Sequence, residues 1–330
     1  FGGYGPSFVN PNTGQILGAD IMLEYVYFTN RVKYEELYRT FDSDSEFKLD
    51  PINTCLAGDY LHQGNLFGMA VLGSVDGFSQ LEQHRLIYES LVKLTLHEVG
   101  HTLGLNHNFY ASHLHSFKNI HDRIITEPLG LTSSVMDYVS ANVNDKPKHH
   151  GQFYSTTPGP YDVWAIEFGY TPLLESPTDE KERIELLLSQ STKNELGFGN
   201  DADDMRSPGK GIDPRINVSD MSADPVAYAQ QRMDIVRSLY PGLKKRYERP
   251  GESYHAFTDA FSILNREYSN SAMVISRYVG GVFMDRSLVG QKGSQKPFRP
   301  VPQGKQKWAM TLLGKYVFAP NAFKIPEGIM

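Results

Sequence analysis

A chain of 330 residues with 40% hydrophobic and 21% charged side chains can bury a large core, as one big domain or about two ordinary ones. Its formal net charge of -6 offers no basic footprint for nucleic acid, and no run approaches the ~18 apolar residues of a membrane span. The lone Cys55 excludes an internal disulfide and any Cys-rich zinc module, so a metal site must draw on histidines and carboxylates.

The chain starts at F-G-G-Y-G with no signal-peptide pattern and reads as the interior of a longer precursor. Asn10 to Gly14, N-P-N-T-G, carries turn chemistry, and Gln15 to Phe28 is the best strand candidate, rich in β-branched and aromatic residues. A second extended run is expected over Leu66 to Val75, weakened by its glycines. From Phe78 to Leu105, Leu81, Ile87, Leu91, Leu94 and Val99 recur at helical spacing without a proline, which predicts one long helix. A His- and Asn-rich loop runs to about residue 132, followed by S-S-V-M-D-Y at Ser133 to Tyr138.

Tyr161 to Tyr170, preceded by P-G-P, reads as a short amphipathic helix, and Thr178 to Ser191 as another. The acidic, Gly- and Pro-bearing stretch from Gly197 to Asp220 is expected to be a boundary or a solvated loop. Asp224-Pro225 starts a helix that Pro241-Gly242 should stop after Tyr240. Glu252 to Tyr268, Ala272 to Met284 and Lys305 to Phe318 complete a last ~110 residues that are predominantly helical.

Residues 97 to 107 read H-E-V-G-H-T-L-G-L-N-H. On a helix His97 and His101 share one face, about 6 Å apart, close enough to ligate one metal. Glu98 sits about 100° round the helix, placed to reach a water that zinc has acidified rather than the metal itself. Gly104 can take the left-handed conformation that ends the helix and turns His107 back as a third ligand. Three protein ligands leave a fourth position open, the pattern of a catalytic zinc site.

With these residues and Ser133 to Tyr138, the sequence resembles the metzincin clan of zinc proteases. The resemblance implies that Met136 forms an apolar floor under the metal ligands, in a Met-turn, and that Tyr138 ligates zinc or stabilises the oxyanion. At N-P-N-T-G-Q-I-L-G-A-D-I and Y-D-V-W-A-I-E-F-G-Y the chain is similar to large bacterial secreted metzincin-like proteases, implying a secreted, periplasmic or cell-surface protein. In that clan a rim strand before the zinc helix pairs with extended substrate. Ile16, Gly18, Ala19 and Ile21 fall at its place here. The strand and helix that usually precede this rim are missing, so an upstream segment of the same precursor is expected to complete the fold.

The expected fold class is therefore α/β: a metzincin-like catalytic core with a mixed sheet over residues 1–172, then a mainly α-helical region over 173–330. The expected reaction is zinc-dependent hydrolysis of protein or peptide substrates, with Glu98 as general base. The rivals are a proteolytically silent, zinc-loaded peptide-binding module, which the presence of Glu98 disfavours, and a zinc hydrolase acting on another amide. Asn200 to Asp204, with Asp213, Asp220 and Asp224, offers oxygen ligands to Ca2+ but lacks the spacing of a calcium loop, which favours a solvated acidic loop. His113, His115, His149 and His150 fit a polar surface better than a second metal site. Cys55 fits a small buried hydrophobe better than a ligand capping the zinc.

Overall fold

The computed structural model describes residues 3–23, 55–74, 77, 79–144, 146, 150–204, 211–248, 250–251 and 253–322. The chain opens with four short strands, β1 (Gly3–Tyr4), β2 (Ser7–Val9), β3 (Ile16–Ala19) and β4 (Met22–Leu23). β2 and β3 form an antiparallel hairpin around the N-P-N-T-G turn, where Asn10 N–H donates to Gln15 O at 2.8 Å and Gly14 has φ of 72°. β1 pairs antiparallel with β4. The expected strand from Gln15 is thus broken at Asp20 and Ile21, and its residues 24–28 lie outside the described residues. Among the described residues every sheet is a two-stranded antiparallel ladder.

The run expected to be extended over Leu66 to Val75 is instead the second half of a helix, α1 (Ala57–Leu72). Its buried positions Ala57, Leu61, Gly64, Gly68 and Val71 recur at helical period, so one face is core. Gly68, one of the two glycines that weaken a strand there, and Gly64 just before that run are here sites of close approach. A Cβ on Gly64 would strike the Tyr154 hydroxyl, and one on Gly68 would strike Leu86.

Leu86 belongs to α2 (Gln80–Thr102), the helix that carries the first part of the histidine motif. The buried face of α2, Leu86, Glu89, Ser90, Lys93, Leu94 and His97, is polar at four of these six positions, and its groups are satisfied one by one. Asn65 Nδ2 of α1 donates to Ser90 Oγ at 2.9 Å, while Glu89 Oε2 accepts from the Phe153 and Tyr154 amides at 2.6 and 3.1 Å. Two further helices follow a short one, α3 (Arg123–Leu129): α4 (Pro160–Tyr170) and α5 (Pro177–Leu188) both begin on proline, which loses no hydrogen bond in a first turn.

The C-terminal region is mainly helical, built on α6 (Pro225–Tyr247) and α7 (His255–Ser276), which pack along each other. Pro241 does not stop α6 as expected. An internal proline costs about 3 kcal/mol, and burial of Tyr240 and Leu243 offsets about 1.5–3 kcal/mol each. The two helices expected over 252–268 and 272–284 are one, because Tyr268, Ser271, Val274 and Ile275 continue a single buried stripe. Residues 282–284 instead form β5 (Val282–Met284), paired with β6 (Phe298–Pro300), before α8 (Gln303–Leu313) and a π-helical turn over Gly314–Phe318.

Arg232 of α6 ties this region to the rest. It is fully buried, bonds Glu267 of α7 at 2.7 Å, donates to Ala141 O at 2.7 Å, and its guanidinium lies 4.1 Å from the Phe67 ring centroid of α1. No described helix is long and apolar enough to cross a membrane.

Candidate metal centre

The last turn of α2 ends in a paired backbone motif that aims the third histidine. Leu105 N–H donates to Gly100 O at 3.0 Å and Gly104 N–H to His101 O at 2.9 Å, closed by Gly104 at φ 86°. The chain turns back there, as the sequence predicts, and the rings of His97, His101 and His107 meet with centroids 4.7–5.4 Å apart.

Each imidazole is oriented from behind. His97 Nδ1 lies 2.8 Å from Val135 O, His101 Nδ1 3.0 Å from Leu105 O, and His107 Nδ1 2.6 Å from Asp201 Oδ2. All three partners are acceptors only, so the hydrogen-bond pattern assigns the proton to each Nδ1 and leaves each Nε2 lone pair for a metal. Burial keeps two of the rings neutral: it holds His97 well below its ordinary value and lowers His101 to about 4. Neutral imidazole is the form zinc binds. The donor set therefore fits zinc.

Glu98 is fully buried, and its Oε2 has no hydrogen-bond partner. Burial pushes its carboxyl above the usual range. This leaves a carboxylate oxygen beside three convergent histidines with its acceptor capacity unused.

Met136 and Tyr138 come to the same place. The Met136 side chain is fully buried against Gly100, where a Cβ would overlap its sulfur, so the small residue between the first two histidines makes room for the methionine. The Tyr138 hydroxyl is 2.8 Å from His107 Nε2 and accepts from Leu56 N–H at 3.0 Å. Burial pushes its phenol far above the ordinary value.

The Met-turn is held by a residue of the Y-D-V-W-A-I-E-F-G-Y segment. Asp162 accepts from Ser134 Oγ at 2.5 Å, Val135 N–H at 2.8 Å and Gly159 N–H at 2.9 Å. Buried Lys93 donates to Val135 O, the carbonyl that also orients His97. Burial lowers its ammonium, while the nearby Asp137 and Asp162 charges draw it back up.

Two participants were not foreseen. Asp201, expected in a solvated acidic loop, orients His107; its neighbours find other partners, Asp203 with Arg286 and Asp213 with Arg215. Cys55, expected as a small buried hydrophobe, has its Sγ 3.4 Å from His97 Nε2 and 3.5 Å from Glu98 Oε1, and burial pushes its thiol up to about 12. No motif surrounds either residue, because both reach the centre through tertiary packing.

The remaining expected residues lie apart. β3 carries Ile16, Gly18 and Ala19 on an exposed hairpin, with Ile21 just beyond it. That hairpin's neighbour β1 packs on α2, where a Cβ on Gly5 would press on the Glu98 carbonyl. His113 and His115 are buried rather than at the surface, because the Arg215 and Gly130 carbonyls accept their Nε2 protons at 3.1 and 2.7 Å. His149 lies outside the described residues. Among those residues, one group of His, Cys, Asp and Glu side chains converges as a metal-holding set: Cys55, His97, His101 and His107.

A family model described as Met-zincin matches residues 79–330. No curated protein and no solved structure matches the chain.

Proposed function

The chain belongs to the Met-zincin family, and from that premise we propose that it is a zinc-dependent endopeptidase acting on protein or peptide substrates. The observation that carries this reading is the convergence of three back-oriented imidazoles with the unpaired Oε2 of Glu98 beside them.

His97, His101 and His107 would hold zinc through Nε2. Zinc, when bound, supplies a Lewis acid that polarises the scissile carbonyl and lowers the pKa of water to about 7. Glu98 takes the proton of the attacking water and later returns it to the leaving amine; its raised affinity for protons suits the second half of that role. Tyr138, with its phenol neutral and its hydroxyl at the histidine cluster, donates to the oxyanion that develops on the carbonyl. Met136 keeps water from beneath the ligands.

β3 supports a substrate role for Ile16, Gly18, Ala19 and Ile21. Among the described residues its only strand partner is β2, so its other edge is free to add an extended peptide. Secretion or display at a bacterial surface is part of the same proposal and rests on the sequence resemblance alone.

A second reading is favoured by one observation: Cys55 Sγ shares the histidine cluster, which suits a closed, silent, zinc-loaded peptide-binding module. Profiling the chain on casein and a mixed peptide library, with and without a chelator, separates the readings. Chelator-sensitive cleavage of peptide bonds supports the protease. Chelator-sensitive hydrolysis confined to other amides, or none in any variant of Cys55, overturns it.

A further inference from the structure

The three imidazoles are oriented by devices of different kinds. His101 takes its acceptor from Leu105 O, just past the end of its own helix, and His107 from the half-exposed Asp201. His97 takes its acceptor from the Met-turn, at Val135 O, 2.8 Å from Nδ1, and that oxygen receives a second donor, the ammonium of Lys93. A carbonyl oxygen has two lone pairs, so it serves both donors at once. Val135 N–H in turn donates to Asp162 Oδ2 at 2.8 Å, so the residue is held at its amide and at its carbonyl.

Lys93 stands four residues before His97 on α2, so the two side chains rise from the same face of the helix. It is only 1% exposed. A buried ammonium loses its hydration at heavy cost, and an apolar side chain would fill a core position of α2 without that cost. The compensation lies at the Met-turn: the bond to Val135 O, and the nearby charges of Asp137 and Asp162. Both carboxylates are themselves fixed by backbone amides, Asp137 Oδ2 by Ser112 N–H at 2.8 Å and Asp162 by Val135 and Gly159. The ammonium therefore has a set place, and so does the carbonyl it grips.

Resting on the zinc reading above, we infer that Lys93 is a positioning residue of the metal centre: from within α2 it fixes the Val135 carbonyl that sets the His97 ring, and so holds Nε2 of the first ligand on the metal position. It acts through Val135 rather than on the reacting atoms. Without the ammonium, Val135 O keeps its bond to His97 but loses its anchor on the helix side, and Asp137 and Asp162 lose the charge that matches theirs. His101 and His107 rest on other acceptors, so the loss falls on one ligand of the three.

Lys93→Met keeps an unbranched stem and removes the charged donor. In competition against a chromogenic chelator, the whole chain carrying it should bind zinc about tenfold or more weakly than the parent, the scale of a lost outer partner of a metal histidine. In the zinc-loaded variant the low-field Nδ1 proton resonance of His97 should shift or broaden, while those of His101 and His107 hold. A lysine that only stabilised the fold would lower the unfolding midpoint and leave both readouts where they are. Zinc affinity within about twofold of the parent, or an unmoved His97 resonance, overturns the inference and leaves the three-histidine site standing. The parent alone supplies a check that no folding defect can spoil. With zinc bound, the Lys93 ammonium protons and the His97 Nδ1 proton converge on one oxygen, so a through-space contact between them is expected in the proton spectrum, and its absence also overturns the inference. A parent that takes up no zinc overturns the zinc reading on which the inference rests.

Discussion

Replacing Asp201 by alanine removes the acceptor that fixes the His107 ring. The pair is short, 2.6 Å from Nδ1 to Oδ2, but the Asp201 side chain is 55% exposed. Outer-shell partners of metal histidines are typically worth 10–100-fold in metal affinity, about 1.4–2.7 kcal/mol. Solvent screening of a half-exposed carboxylate places this one at the lower end, about tenfold. Asp201→Asn keeps an oxygen that can accept the Nδ1 proton and loses only the charge, so it should lose roughly threefold. Zinc competition against a chromogenic chelator, at fixed pH and at two salt concentrations, measures both. The order parent, Asn, Ala should hold, with the parent-to-Asn gap narrowing at high salt. Asp201→Ala binding zinc within about twofold of the parent would refute the idea that this carboxylate orients His107.

Asp162→Ala strips three donors of their acceptor at the Met-turn, and with each orphaned buried donor costing about 1–3 kcal/mol the loss should be about 3–5 kcal/mol in urea unfolding; a loss under about 1 kcal/mol would show the turn holds without it. Gly100→Ala should destabilise by about 1–3 kcal/mol through overlap with Met136, and in a double-mutant cycle Met136→Ala should relieve part of that; strict additivity would contradict the contact. Burial holds His113 down at about 3, among Arg215, Lys305, Asp213 and Asp220. Below its ordinary 6.5 the unfolded chain binds a proton that the folded chain refuses, so stability rises with pH between about 3 and 6.5 and falls on acidification. Unfolding followed from pH 7 to 4 should show His113 contributing a slope of up to about 1.4 kcal/mol per pH unit, lost in His113→Gln; an unchanged slope in that variant would exclude it.

The local part of the centre was legible in the sequence because helix geometry carries it. His97, Glu98 and His101 need only the period of an α-helix, and His107 only a left-handed Gly104 three residues earlier. Met136 and Tyr138 were legible through family resemblance, since nothing in their own spacing says they return to α2. What was hidden came from packing. Asp201 and Cys55 reach the histidines across 94 and 42 residues of chain, with no pattern to mark them. Gly68 looked like a strand breaker and is a helix contact, because a sequence shows a missing side chain but not the neighbour that fills its place. Pro241 shows the same limit: its local cost is plain, while the burial of Tyr240 and Leu243 that outweighs it is not.

The most direct test of the account is to prepare the parent and Glu98→Gln side by side and measure zinc content and casein cleavage on the same samples. The geometry predicts about one zinc per chain in both, since Glu98 faces the site without being one of its ligands, and chelator-sensitive cleavage in the parent alone. Cleavage by Glu98→Gln at the parent rate would contradict the proposed chemistry.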